Sequence, residues 1–152
     1  MPGRIANVRK FIRLLTLVAA AAGVGFFAAR AAEPHAEKQS GARSKVALEQ
    51  KLDLMIDGQP AKATLLELEY PPGGDSGAHR HPGPVVVYVL SGAIESAIDD
   101  EPPKTYRAGD SFFEPAGVLH AVSRNASRTE PARFLAFMLS PADAKRLVTP
   151  PE

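Results

Sequence analysis

The 152-residue sequence contains no cysteine. No disulfide can therefore hold the fold together, and a packed core must do so. A second enzymatic domain is also excluded by length, since one core typically organises about 100 to 200 residues. The apolar fraction of 45% and the charged fraction of 23% are ordinary for a globular protein. The composition predicts one domain with at most a short appendage.

The N-terminus has the layout of a secretory signal peptide. Residues 1–13 carry basic side chains and no acidic ones, the run from Leu14 to Ala29 is uncharged and apolar, and Ala29 and Ala31 are small residues two apart. We predict a signal peptide over residues 1–31, cleaved near Ala31, and hence a periplasmic or secreted protein. An uncleaved membrane anchor is the alternative, but the 16-residue run is short for a span that needs about 20 residues.

Export would change the charge of the chain. Residues 1–31 hold five of the 18 basic residues and no acidic one, so the mature chain would have 13 basic and 17 acidic residues, a net charge of −4. A mildly acidic chain has no basic stripe for nucleic acid, and we expect no such partner. We expect membrane contact only through an uncleaved signal segment, and a homodimer is left open.

Residues 45–140 show short strands separated by turns. About eight apolar or alternating segments lie between Pro- and Gly-containing turns, including a hairpin turn at Asp57–Pro60. Short strands without a long helical pattern predict an all-β barrel or jelly roll. Residues 32–44 are polar and predict a flexible leader. Residues 141–152 predict a short C-terminal helix and tail, with Pro141 at the helix start.

Alternation along these strands nominates a core, although it does not decide which face points inward. The nominated residues are all large and apolar. They are Leu52, Leu54, Leu66, Leu68, Val85, Val87, Val89, Ile94, Phe112, Val118, Val122, Leu135 and Phe137.

Three of the four histidines are placed to share one metal ion. His79 and His81 lie two residues apart, and side chains at i and i+2 of an extended chain point to the same side. His120 follows near the end of a later strand. Three neutral imidazoles suit one divalent transition metal, Fe, Mn, Ni, Cu or Zn, and leave positions open for a substrate. His35, in the polar leader, is expected to be solvated and to take no part.

The histidines and the glycines and prolines around them resemble the two motifs of the cupin superfamily. The matching residues are Gly73, His79, His81 and Gly92 for the first motif, and Gly109, Pro115, Gly117 and His120 for the second. Asn125 falls one residue later than the second motif requires. The resemblance covers residues 45–139 and extends to small exported cupins similar to quercetin dioxygenase. It implies a cupin barrel with a mononuclear metal site.

One position departs from the cupin pattern. The family places a glutamate ligand seven residues before Gly92, where this sequence has Val85, which cannot bind a metal. The resemblance therefore implies a site reduced to three histidines, unless Glu114, Glu95 or Tyr88 compensates. Glu114 is also the nearest candidate for a catalytic base, by its place in the second motif.

The resemblance favours an oxygenase-like enzyme that acts on a small enol, diketone or phenolic substrate. A non-catalytic module that binds a small molecule is one alternative, and the loss of the family glutamate favours it. A cupin isomerase or lyase is another. The fold alone does not choose among them, because function depends on the site.

The signal-peptide prediction can be tested on protein recovered from its native host. Cleavage near Ala31 should leave a mature N-terminus near Ala32, and intact-mass spectrometry would detect it. A membrane-bound form that retains Met1 would instead favour the anchor.

Overall fold

The computed structural model describes residues 41–56 and 58–151, which form eight strands, as the sequence predicts. The predicted signal segment and most of the leader lie outside these residues. The strands are β1 (Arg43–Ile56), β2 (Gln59–Tyr70), β3 (Val85–Ser91), β4 (Ala93–Ile98), β5 (Lys104–Arg107), β6 (Ser111–Glu114), β7 (His120–Asn125) and β8 (Ala132–Pro141). Within the described ranges there is no α-helix, and so none long and apolar enough to cross a membrane.

The strands form two antiparallel sheets, which confirms the all-β jelly roll. The larger sheet has the order β1-β2-β8-β3-β6 and the smaller one the order β5-β4-β7. The order is not sequential, because β8 returns to lie between β2 and β3. This crossover joins the N-terminal hairpin to the central strands.

The core lies between the sheets and contains part of the nominated set. Val85, Val87, Val89 and Ile94 are buried, as predicted, and Tyr70 joins them. Three further nominees, Leu66, Leu68 and Phe112, are partly buried and pack against this cluster.

The prediction was wrong about the inward face of β8. Phe134, Ala136 and Met138 point into the core, whereas Phe137 is 37% exposed. This strand is apolar on both faces, so alternation in the sequence could not choose between them. Leu54 was also placed wrongly, since it is 45% exposed near the end of the first hairpin.

The predicted C-terminal helix over residues 141–152 is not formed in the part that the structure describes. Pro141 instead ends β8, and one turn follows in which the Ala144 N–H donates to the Pro141 carbonyl at 3.1 Å. Further on, Arg80 and Thr149 exchange two backbone hydrogen bonds of 2.9 Å. A segment this short gains little as a helix, and here its backbone groups find partners on the barrel instead.

The glycines of the two cupin-like motifs lie in tight turns. Among them, only Gly92 has no room for a side chain. Its φ of +73° is in the left-handed region, and an added Cβ would lie 2.6 Å from the Pro131 carbonyl oxygen. Gly109 has a similar φ of +94°, but a Cβ added there would meet no atom within 4 Å. The two positions therefore separate backbone strain from steric overlap.

We expect Gly92→Ala to lower the free energy of unfolding by more than about 2 kcal/mol. A left-handed conformation alone costs an L-residue about 1–2 kcal/mol, and the overlap adds to it. Gly109→Ala is the matched control and should cost only the strain. Urea denaturation of both variants measures the difference, and equal losses would contradict the steric argument.

Candidate metal centre

The candidate site is assembled from a loop and two strand ends. The loop between β2 and β3 carries His79 and His81, while His120 begins β7 and Glu114 ends β6. The backbones of His79 and His120 exchange two hydrogen bonds of 3.2 and 2.8 Å, which fix the loop against β7. Glu114 pairs in register with Val85 of β3. Residues far apart in sequence are thus held by backbone pairing around one point.

Three imidazole nitrogens and one carboxylate oxygen converge at this point, all within 4.8 Å of one another. His79 Nε2 lies 3.0 Å from His81 Nε2, which lies 3.0 Å from Glu114 Oε2. That oxygen is 3.1 Å from His120 Nδ1. With metal–ligand bonds of about 2.1 Å, adjacent ligands of an octahedron are about 3.0 Å apart and those of a tetrahedron about 3.4 Å. The spacings match neighbouring positions of an octahedron.

Backbone carbonyls set the tautomers of the two loop histidines. His79 Nδ1 lies 2.8 Å from the Gly77 carbonyl oxygen, and His81 Nδ1 lies 2.8 Å from that of Leu147. A carbonyl oxygen can only accept, so Nδ1 carries the proton in each ring. In the neutral rings both Nε2 atoms therefore direct lone pairs at each other, an arrangement that a shared cation relieves.

The other half of the site lies in a more buried setting. His120 Nε2 lies 2.8 Å from Ser96 Oγ, and either atom can be the donor. His120 Nδ1 and Glu114 Oε2 face each other without hydrogen-bond geometry, although each side chain is only 3% exposed. Buried polar atoms are rarely left without a partner. A divalent cation between them fits both atoms.

The ionisation states also suit a cation. Burial acts to raise the pKa of the Glu114 carboxyl, but His120 and His81 outweigh it and hold the pKa at about 2. Burial lowers the pKa of His79 below its ordinary value. At neutral pH the site therefore contains an ionised carboxylate and a neutral His79, which are the forms that bind metals. Burial acts to lower the pKa of His81, but Glu114 outweighs it and raises that pKa, so a metal bound there would displace a proton. The role of Glu114 as a catalytic base stays a prediction.

The converging atoms lie in the wall of a small apolar cavity between the sheets. Its volume is about 120 Å³. Beside the four ligating side chains, its polar groups come from Tyr70, Ser76 and Ser123, and the Tyr70 hydroxyl lies 2.8 Å from Ser123 Oγ. The apolar lining residues are Leu66, Leu68, Val85, Val87, Phe134, Ala136, Met138, Leu147 and Val148.

The structure brings His79, His81 and His120 together, as the sequence predicts, and adds Glu114 to them. The other two candidates for a compensating ligand lie elsewhere. Glu95 accepts a 2.6 Å hydrogen bond from Arg124 at the surface, and Tyr88 is 47% exposed. His35 lies outside the described residues.

Arg80, between the two loop histidines, forms no ion pair within the described chain. Its guanidinium donates to the Gly117 carbonyl at 2.8 Å. A salt bridge is the usual expectation for an arginine at such a position, but the tight turn at Gly117 supplies the closer acceptor. The contact ties the first histidine loop to the turn before His120.

The position of Glu114 explains the missing family glutamate. Val85 and Glu114 are cross-strand neighbours in the β3–β6 ladder, so their side chains share one face of the sheet. Val85 is 1% exposed and lines the same cavity. A carboxylate thus reaches the site from the strand next to the one that carries it in the family pattern. No pattern along the chain indicates this register. Nor does any pattern indicate the hydrogen bonds that Ser96 and Leu147 form with His120 and His81.

Comparison with known proteins supports this architecture. Residues 66–138 match the family model for the cupin domain, so this part of the chain is a cupin domain. A protein with a double-stranded β-helix domain from Klebsiella pneumoniae is 21% identical, with a TM-score of 0.55, and the match covers 72% of this chain and 85% of that one. A cupin domain from Bordetella pertussis is 24% identical, with a TM-score of 0.50, over 68% and 98% of the two chains.

One curated relative has a named activity. The dimethylsulfoniopropionate lyase DddQ of Ruegeria pomeroyi is 33% identical over 61 residues, which are 40% of this chain and 28% of the relative. The match thus spans little more than a quarter of the lyase.

If Glu114 is a ligand, its carboxylate can be moved from β6 to the position of Val85 on β3. Glu114→Gln should lower the affinity for Zn²⁺ or Co²⁺ at least about tenfold, because a charged ligand is lost. The double change Val85→Glu with Glu114→Val should recover part of that loss, since the carboxylate returns from the neighbouring strand. Competition with a chromophoric chelator measures both affinities.

Two control variants test whether the loss of affinity is specific to the site. Glu95→Gln removes a carboxylate that lies away from the site and should leave the affinity unchanged, as should His35→Ala. Alanine at His79, His81 or His120 should lower it strongly. If Glu114→Gln binds metal as tightly as the unchanged protein, the four-ligand assignment is wrong.

Proposed function

We propose that the chain is an exported, mononuclear-metal enzyme that acts in an oxygenase-like reaction on a small enol or diketone. The observation that supports it best is the convergence of three imidazole nitrogens and one carboxylate oxygen, all within 4.8 Å of one another, in the wall of a small apolar cavity. Four protein ligands leave two positions of an octahedron, which suits a substrate with two neighbouring oxygens where those positions are adjacent. Export rests on the composition of residues 1–31 alone.

A bound divalent metal would supply Lewis acidity and, if it is Fe, Mn, Ni or Cu, a route for electrons to oxygen. The protein's own part is to hold and orient. The Gly77 and Leu147 carbonyls keep His79 and His81 in the tautomers that ligation through Nε2 needs, and the Ser96 hydroxyl bonds to Nε2 of His120. The apolar walls exclude bulk water, which strengthens polar interactions inside the cavity.

The cavity limits the substrate to a small molecule. Its volume of about 120 Å³ is the share of about four water molecules in the liquid, and typical ligand pockets hold about 300–1,000 Å³. A volume of this size favours an enol or diketone over a phenolic substrate with several rings. No lysine or arginine is among the described lining residues, so an anionic group would find its counter-charge at the metal.

Burial raises the pKa of Tyr70 above its ordinary value. The phenol therefore stays protonated at neutral pH and offers an O–H at the cavity wall. With Ser123 it forms a polar pair among apolar side chains, which suits a substrate with one polar end and one apolar end.

A lyase is the second candidate, and the partial match to the dimethylsulfoniopropionate lyase favours it. A lyase would use the same ligands to hold a carboxylate or carbonyl of a small substrate but would consume no oxygen. The non-catalytic binding module loses its main support, because Glu114 stands beside the position where the family glutamate is missing.

Oxygen dependence separates these functions. The metal-loaded protein is mixed with a panel of small diketones, enediols and dimethylsulfoniopropionate, and both oxygen uptake and product formation are followed. An oxygenase should consume about one O₂ per substrate and stop under argon, whereas a lyase should turn over equally with and without oxygen. Glu114→Gln is the control for adventitious metal chemistry. Ligand binding without turnover by any member would support the binding module.

A further inference from the structure

The last described residues cross the mouth of the cavity. Residues 146–150, here called the C-terminal strap, are held to the histidine loop by the two 2.9 Å backbone hydrogen bonds between Arg80 and Thr149. Between these bonds and β8, Leu147 turns inward, packs against the core cluster and lines the cavity. Val148 beside it is 51% exposed.

Leu147 meets the candidate metal centre in two separate ways. Its side chain forms part of the cavity wall, and its backbone carbonyl accepts the Nδ1–H of His81 at 2.8 Å. His81 has no other fixed partner for that nitrogen among the described residues. The orientation of this ring therefore depends on a segment outside the strands.

Strap residues line two adjoining volumes. One is the cavity of about 120 Å³, and the other is an open hollow of about 580 Å³ lined by strap residues together with Ser76, Ala78 and His79. Ser76, His79, Leu147 and Val148 line both. Leu147 thus lies where the two volumes meet.

We propose that Leu147 is both a positioning residue for His81, through its carbonyl, and the specificity-determining residue of the cavity, through its side chain. The carbonyl holds the Nε2 lone pair of His81 toward the shared ligand point. The side chain keeps a ligand bound at the metal centre from extending into the outer hollow. It therefore sets the largest ligand that the cavity can hold. The inference rests on the candidate metal centre of the proposed function, but not on the reaction carried out there.

Because the carbonyl and the side chain belong to one residue, different variants are needed to separate them. Thr149→Pro removes the N–H that bonds to the Arg80 carbonyl and should release the strap without deleting it. Removal of residues 146–152 takes away the carbonyl as well. Leu147→Ala keeps the carbonyl and shortens only the side chain. Arg146→Ala, which alters the outer hollow alone, is the matched control.

The positioning role predicts a loss of metal affinity. Thr149→Pro and the truncation should each weaken Co²⁺ binding about 10–100-fold, the range typical for losing a hydrogen bond that orients a ligating histidine. The Co²⁺ absorption spectrum should change as well, since His81 is no longer fixed. Arg146→Ala should bind Co²⁺ about as tightly as the unchanged protein, because it keeps that hydrogen bond. Leu147→Ala also keeps the carbonyl and should weaken Co²⁺ binding less than either strap variant.

The specificity role predicts a change in ligand size. Imidazole and 4-phenylimidazole are titrated into the Co²⁺-loaded proteins, and the spectrum reports their binding. Leu147→Ala should bind 4-phenylimidazole at least about tenfold more tightly than the unchanged protein and imidazole about equally, because the shortened side chain opens the wall to the phenyl ring. Arg146→Ala should change neither.

The two roles can fail separately from each other and from the proposed reaction. If both strap variants are folded by circular dichroism and bind Co²⁺ with unchanged affinity and spectrum, the positioning role is wrong. If one variant does not fold, the other decides. If Leu147→Ala leaves the binding of both imidazoles unchanged, the specificity role is wrong. Neither measurement uses turnover, so an inactive enzyme would count against the proposed function alone.

Discussion

The Glu114 carboxylate facing three imidazole nitrogens is the contact on which the site depends. A charge that is 3% exposed is costly unless it has a partner of opposite sign, and the histidines provide that partner only if they are protonated or share a cation with it. Carbonyl groups of Gly77 and Leu147 accept the Nδ1–H of His79 and His81, so in the neutral rings the Nε2 lone pairs are directed inward.

This arrangement also brings together residues from both sheets and from a loop. Glu114 ends a strand of the five-stranded sheet, His120 begins a strand of the three-stranded sheet, and His79 and His81 lie in a loop that belongs to neither. A metal held by all four would cross-link the two sheets at one end of the barrel. Its binding energy would therefore add to the stability of the folded chain as well as to its chemistry.

The features that depend on local patterns could be predicted from the sequence. Turns rich in Pro and Gly marked the strands, and the His79–His81 spacing with His120 predicted the three histidines that the fold brings together. Features that depend on pairing between distant residues could not be predicted. The inward face of β8 was ambiguous because that strand is apolar on both faces, and the partnership of Val85 with Glu114 exists only through the β3–β6 register. The C-terminal residues have a helical pattern, but their backbone groups pair with the histidine loop, which no local pattern reveals.

The register of Val85 and Glu114 has a consequence for how related sequences are interpreted. A motif written along the chain requires the carboxylate at one position and treats valine there as a lost ligand. In space, positions 85 and 114 are paired on adjacent strands and line the same cavity, and here the carboxylate comes from position 114. Sorting relatives by the linear motif would thus divide them into metal-binding and degenerate groups. The three-dimensional site gives no reason for that division. Patterns defined over cross-strand pairs would place both kinds of sequence in one group.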